Sequence, residues 1–599
     1  MNLDMKLVAS RGGVTALALV FLALAGMPVG LNPRMLIDPI FSLGYLSLLW
    51  IPLVMGGMMS QRVELEGIES EGGGVGEVVA GGLVGLFGGL GLSALVLLVD
   101  NFDLRDPLVN WSPQLVEFLS FGRGIGFGLL LWPLIGAGLG AFGAAVRLLP
   151  SKVKKPLLAA TLTVLGFAIF ETFIVDVLEP LENLYANTGG LTVTAAIVLA
   201  VLSAGLSAAG AGRQVGKARS SYQLSTGAAH TRQTALLIGG SAAFLIILPM
   251  ITGKITQELL ANIGIFLLLA LGLNIVVGLA GILDLGYVAF FAVGGYTTAV
   301  LTSPNRGPNF DFLPVLDGRF GWLIAVGISI LMAALAGLFI GAPVIRMRGD
   351  YLAIVTLGFG EIIRLLFLSD WLNGWFNGAQ GITNIPPADF GFAQVKGTDP
   401  RAVFYLVLVL AAISIYVSWR LENSRLGRAW MAIREDESVA EAMGINTVNV
   451  KLMAFVVGAV LASFAGSVFA AKVGSIFPTS FLILVSIIIL VIVIVGGMGN
   501  ILGVIAGSVV LVGVLGGPKQ PGLLQEFSEY KLLIYGALLV WMMLKRPEGL
   551  IPNVRRSREL HQEEFLQDAW LRGEVDRDEA ASETEAAANG PAPATGGAS

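Results

Sequence analysis

The sequence predicts an all-α, polytopic integral membrane protein of about sixteen transmembrane or re-entrant helices, and three observations carry that prediction. Hydrophobic residues make up 55% of the 599-residue chain and charged residues 13%, against roughly 25% charged in soluble domains, and the mean hydropathy is +0.80. Glycine, at 78 residues, suits helices that pack closely through small side chains in a bilayer. Apolar runs approaching the roughly 20 residues needed to cross the hydrocarbon core recur along most of the chain.

In chain order the first six runs are Val14–Leu31, Gly44–Met59, Gly76–Val99, Gly124–Val146, Leu157–Val177 and Leu191–Ala211. After a polar stretch come Ala235–Ile251, Leu259–Leu279, Leu283–Leu301, Gly321–Ile345, Tyr351–Leu368 and Val403–Trp419. A longer hydrophilic segment precedes Leu452–Ala471, Phe481–Val495, Ile501–Leu515 and Leu532–Leu544. Several are short or glycine-broken, which suits re-entrant segments. The first run follows Lys6 and Arg11 as a signal peptide would, but no convincing small-residue cleavage site follows it, so it reads as a retained membrane helix.

Cysteine is absent and only two histidines occur, His230 and His561, which excludes disulfides and thiolate metal sites and argues against a histidine-built centre. The net charge of −5 is local: residues 553–599 hold five Arg and ten acidic residues, leaving 32 basic and 32 acidic residues elsewhere. No basic patch for nucleic acid is implied. Lys and Arg concentrate in cytoplasmic loops. Placing the N-terminus in the cytoplasm puts Arg62, Arg147 with Lys152–Lys155, Arg213–Arg232, Arg346 with Arg348, Arg420–Lys451 and Lys545 with Arg546 on that side. Loops such as Glu179–Gly190 and Asp370–Pro400 fall on the other. Both termini are then cytoplasmic. Three regions follow: a six-helix block over 1–227, a ten-segment block over 228–552, and an acidic tail over 553–599 whose Ala/Glu/Gly/Pro-rich end cannot bury a core.

The longest polar segment between helices of the second block, Arg420–Lys451, places Leu426, Trp430, Ile433, Ala440 and Met443 near helical spacing with charges on other faces. It reads as one amphipathic surface helix ended by Gly444. A solvated connector or a helix lying on lipid headgroups is the plainer alternative. Among residues beside apolar runs, Asn274, Asp284 and Glu361 are candidates for a translocation path, because intramembrane polar groups carry function by default. Asp284 equally suits the cap of a helix beginning at Leu285, and Glu361 suits an ion pair with Arg364 one turn away. Gly294, Gly295 and Gly360 suit close helix packing. In the first block Asp176 falls near the outer end and Glu171 about one and a half turns deeper. Such a carboxylate suits a coupling-ion site, but with no clear cationic partner Glu171 is expected to pack against polar groups of another helix.

The run IREDESVAEAMGI (Ile433–Ile445) resembles the cytoplasmic coupling loop of ABC importer permeases, most closely those of the LivM-like branched-chain amino-acid type. Gly272–Leu301, Arg346–Leu366, NGAQGITNIPP (Asn377–Pro387) and IVGGMGNILGVIAGS (Ile494–Ser508) agree in the family's order, over about Ile251–Pro552. The resemblance implies a non-enzymatic permease subunit in the cytoplasmic membrane. Its implied partners are a homologous LivH-like permease, two cytoplasmic ATPases that use the ATP, and an extracytoplasmic substrate-binding protein, with no cofactor on this chain. The coupling helix would then use Arg425, Trp430, Ile433, Arg434, Glu435, Asp436, Glu441, Met443 and Gly444. Trp430, Ile433 and Met443 are the expected anchors in an ATPase groove, and Glu435–Glu437 the acidic selector. Branched-chain amino acids are the implied cargo, with urea or short amides as the alternative.

No G-x-x-x-x-G-K-[ST] occurs; Ala211–Arg219 lacks the first glycine and has Ala218 after Lys217. An ion-coupled secondary transporter remains as a reading of another class, and it would show inverted repeats, none of which is evident. A membrane scaffold or sensor is suggested only by the first block and the tail. Members of the resembling family are usually shorter, and the first block carries no motif that assigns it a role.

Overall fold

A computed structural model describes residues 5–551, except 62–72, 103, 107, 178, 187–188, 209–227, 317, 346, 348–349, 392, 518–521, 525–526 and 528. The linker basic residues up to Arg219, the pair Arg346 and Arg348, and the tail 553–599 lie outside the described residues. All sixteen apolar runs carry helix. Among the described residues, nine helices are long and apolar enough to span a bilayer, and five further apolar helices are shorter.

The chain forms two compact units, Met1–Gln257 with Leu523–Lys531, and Glu258–Gly522 with Leu532 onward. The division falls one helix later than the boundary drawn at 227/228. The helix Ala228–Ile251 belongs to the first unit, and its end is fastened by Gln257, whose Nε2 donates to Pro249 O and Thr252 O, both at 2.8 Å.

In the first unit, α1 (Met5–Leu24), α2 (Leu43–Gly57), α3 (Gly73–Asn101) and α4 (Ile125–Leu148) pack together. The glycines explain how: a Cβ at Gly85 would lie 1.9 Å from Gly136 O, and one at Gly136 would lie 2.3 Å from Gly85 O. Backbone therefore meets backbone along α3 and α4. The fifth run is not straight. It breaks at Phe170 into Lys152–Ile169 and Glu171–Val177, bent by 77°.

Glu171 does have a cation, contrary to the sequence reading. Arg34 Nη2 lies 2.7 Å from its carboxylate, which also accepts from Gly190 N at 2.9 Å. Arg34 is some 137 residues away in sequence, so periodicity could not reveal it. Asp176 accepts from Thr256 N at 3.0 Å and Thr256 Oγ1 at 2.5 Å. Its carboxylate thus caps the third residue of the helix that begins at Lys254.

The second unit begins within α5 (Lys254–Leu273), which passes into a π-helical turn at Asn274–Leu279. Then follow α6 (Val288–Thr302), α7 (Gly321–Val344), α8 (Asp350–Leu368) and α9 (Pro400–Glu422). After the polar segment come α10 (Thr447–Val473), α11 (Ile483–Gly496), α12 (Ile501–Ser508, turning π-helical over Val509–Leu515) and α13 (Lys531–Lys545). Packing centres on α6, α7 and α10. There Ser467 Oγ meets Thr298 Oγ1 at 2.8 Å and Ser329 Oγ at 3.2 Å. These buried hydroxyls satisfy one another across the helices. At the opposite end from the polar segment, NGAQGITNIPP crosses the start of the α10–α11 connection, where Ile382 and Ile476 exchange backbone hydrogen bonds of 2.9 and 2.8 Å.

Candidate functional site

The polar segment folds as two short helices rather than one. Arg425–Glu435 is capped by Ser424, whose Oγ accepts from Gly427 N at 3.2 Å. Asp436 then leaves helical geometry (φ −154°, ψ 113°) and caps Glu437–Ala442, accepting from Ser438 N at 2.8 Å, Val439 N at 3.1 Å and Ser438 Oγ at 2.5 Å. An aspartate that can satisfy free amides favours a new helix start over continuation. Those donors, the Ser438 hydroxyl first, hold the Asp436 carboxyl below its ordinary pKa.

Gly444 ends the pair as the sequence indicates. It sits at φ +86°, Gly444 N donates to Glu441 O at 2.9 Å, and Ile445 N donates to Ala440 O at 3.1 Å. This is a Schellman closure, which needs a left-handed residue at that point.

The apolar stripe faces inward. Trp430 is fully buried and donates from Nε1 to Val450 O at 2.7 Å; Ile433 and Ala440 are also buried. Trp430 and Ile433 therefore fasten the helices to the chain itself, which corrects their expected role as anchors in a partner's groove. Of the three expected anchors only Met443 is exposed, at 79%, with Val439 four residues earlier at 58%. Arg425, Arg428, Glu435, Asp436, Glu441 and Gly444 are exposed as well. Glu437 is drawn out of the acidic cluster by the buried Lys451, whose Nζ lies 2.6 Å away.

Arg434 turns the other way, toward the membrane helices. Its Nη1 donates to Gly278 O, near the buried C-terminal end of the π turn, at 2.6 Å. Its side chain lies over Gly281, where a Cβ would stand 2.7 Å from Arg434 Cγ. Asn274, at the start of the same π turn, is buried and accepts from Gly499 N at 2.8 Å. Two of the residues expected along a path, Asn274 and Asp284, thus flank the same interruption between α5 and α6.

Asp284 is 1% exposed. Its Oδ1 accepts from Gly286 N at 2.8 Å, and its Oδ2 is buried with no hydrogen-bond partner. It does not cap a helix at Leu285. That amide is taken by Thr356 Oγ1 at 3.1 Å, and the helix starts at Val288, whose N–H donates to Ser486 Oγ at 2.8 Å. Glu361 lies about 7.5 Å along α8 from Thr356 at the helical rise and is tied to Arg364, with Nε 3.0 Å from each carboxylate oxygen. The site residues that the sequence did not single out are Gly278, Gly499 and Lys451. Gly278 and Gly499 lie inside the motifs already noted, but nothing in their spacing signals the contact.

The model of the family described as branched-chain amino acid transport system / permease component matches residues 255–543, leaving 1–254 and 544–599 outside it. The high-affinity branched-chain amino acid transport system permease protein LivM of Escherichia coli K12 is 40% identical over 334 residues, covering 52% of this chain and 73% of that protein. The LivM protein of Salmonella typhimurium is 39% identical with the same coverage. The LivH permease of E. coli K12 is 26% identical over 307 residues, covering 49% of this chain and 93% of its own. No solved structure matches. With two fifths of the residues shared across nearly three quarters of a LivM protein, this chain belongs to the family of branched-chain amino acid transport permeases.

Proposed function

We propose that the chain is the LivM-type permease subunit of an ABC importer that carries leucine, isoleucine and valine across the cytoplasmic membrane. It works beside a LivH-like permease, and an extracytoplasmic binding protein delivers the cargo. Two cytoplasmic ATPases supply the energy, since the sequence has no P-loop of its own. The observation that carries this reading is the helix pair Arg425–Ala442. It is clamped from inside by Trp430 and Ile433, and it presents Glu435, Asp436, Glu441, Val439 and Met443 outward. A polar, acidic-edged helix surface held rigidly on a membrane protein suits docking into a groove with a basic rim.

With this face in the cytoplasm, closure of the ATPases on ATP displaces the helix pair, and the buried contacts pass the displacement inward. The acidic face argues against a bed of anionic headgroups, which attract basic helices instead. The test is uptake of labelled leucine into proteoliposomes holding the complete complex, with urea and acetamide as competing cargo. ATP-dependent leucine accumulation supports the reading. Accumulation of urea or the amide alone would reassign the cargo, and ATP-independent accumulation by this chain alone would make it an ion-coupled transporter.

A further inference from the structure

The links between the helix pair and its sequence neighbours are short-range. Ser424, which donates to Leu421 O and accepts from Gly427 N, joins it to α9, while Trp430 to Val450 O and Glu437 to Lys451 join it to the start of α10. Arg434 reaches further, to a carbonyl 156 residues away in sequence.

The place it reaches is unusual. The span Lys254–Leu279 is more buried than any other spanning helix among the described residues. Its last turn is π-helical, with Ala280 N donating to Ile275 O at 3.1 Å. A helix end leaves carbonyls without intrahelical donors and carries partial negative charge, and the Arg434 guanidinium supplies both a donor and a cation there. Glycines make the approach possible. A Cβ on Gly278 would lie 2.2 Å from Asn274 Oδ1 and 2.5 Å from Gly499 N, and one on Gly499 would lie 3.0 Å from Gly278 O and 3.3 Å from Arg434 Nη1.

Asn274 then closes the circuit by accepting from Gly499 N. The turn holding Gly499 is itself strapped by the segment that follows α13. Leu550 N donates to Val495 O at 2.8 Å, Ile551 N to Gly496 O at 3.1 Å, and Asn500 Nδ2 to Ile551 O at 3.1 Å.

We propose that Arg434, Asn274 and the glycines 278 and 499 form a latch that joins the helix pair to α5 and to the α11–α12 turn, and that transport is coupled through it. Arg434 and Asn274 are positioning residues; neither touches cargo or nucleotide. The latch gives the helix pair a grip on two membrane elements outside its own hairpin, so a displacement at the surface moves α5 and the α11–α12 turn together. π turns often mark functional positions in helices, and this one presents the buried carbonyl that Arg434 holds. The proposal rests on the ATP-driven importer reading and specifies how motion leaves its coupling site.

The experiment compares wild type, Arg434→Met, Arg434→Lys and Asn274→Leu in the complete complex in proteoliposomes, measuring leucine moved per ATP hydrolysed. Asn274 is too deeply buried to touch an ATPase, so its variant separates the latch from docking. Gly499→Ala serves as a second test of the same contact if Asn274→Leu does not assemble. The expected result is a fall of about tenfold in leucine per ATP for Arg434→Met and Asn274→Leu, with partial recovery in Arg434→Lys, in the range of typical coupling energies. An unchanged ratio in both, including one in which uptake and hydrolysis decline together, overturns the latch. A wild-type complex with no ATP-linked uptake overturns the importer reading instead.

Discussion

Trp430 is where the attachment of the helix pair is most exposed to test. The side chain is fully buried and its Nε1 donates to Val450 O at 2.7 Å. Trp430→Ala removes a large buried aromatic group, a change that costs about 3–5 kcal/mol in well-packed sites. About 1 kcal/mol of that belongs to the hydrogen bond. Helices this short do not persist alone in water, so the loss falls on the docked state of residues 425–442. At 1.4 kcal/mol per factor of ten, the undocked population rises by roughly two to three and a half orders of magnitude. Trp430→Phe keeps most of the packing and loses the donor, for a rise of about fivefold.

Hydrogen exchange of the 425–442 amides in nanodiscs reads this directly, alongside a control segment in α6. Protection that stays within twofold of wild type in Trp430→Ala would refute the claim that this side chain holds the pair in place.

Four further outcomes follow from the same geometry. Gly444→Asp and Glu441→Ala are expected to abolish uptake while the chain stays inserted. At Gly444 a Cβ meets nothing within 4 Å, so the cost is the left-handed backbone alone, about 1 kcal/mol, and membrane yield measured beside uptake separates the two effects. Lys451→Met and Glu437→Gln should each loosen the helix pair, and the double variant should be less harmful than the sum of the singles, because one buried charge is no longer left without its partner; exchange protection checks this. Asp436 has a depressed folded pKa, so its capping contribution is complete above the ordinary aspartate value near 4 and is lost as pH falls through the folded value. Protection of Ser438 and Val439 should therefore be flat from about pH 5 to 8 and fall below about pH 4. Asp176→Ala removes the cap at Thr256 and is expected to lower the melting midpoint of the first unit, at a cost of about 1 kcal/mol, read by thermal unfolding in detergent.

The helices were legible because crossing a bilayer demands length and apolarity at once, and both are visible in one dimension. The breaks were less so. The turn at Phe170 and the π turn at Asn274–Leu279 carry no proline, and the interruption before α6 looks apolar apart from Asp284. The end of the helix pair at Gly444 was legible because a left-handed closure calls for glycine. Its interior break was not: Asp436 reads as one more charge on an amphipathic face until its carboxylate is seen on Ser438 and Val439.

Periodicity likewise picked out the stripe of Trp430, Ile433 and Ala440 but could not say what the stripe faces. The chain's own α10 supplies the acceptor for Trp430. Partners distant in sequence, such as Arg34 for Glu171 and Gly278 for Arg434, leave no local pattern at all.

The account stands on the helix pair being the point where an ATPase engages this permease. The most direct measurement places a cysteine at Met443, which is exposed, in a chain that has no other cysteine, and cross-links it to the co-expressed ATPase subunits in native membranes while leucine uptake is followed. A link to an ATPase whose formation changes between ATP-bound and nucleotide-free membranes, and which stops uptake, is the predicted result. A residue 443 that labels freely in both conditions, contacts no ATPase and leaves uptake untouched would contradict it.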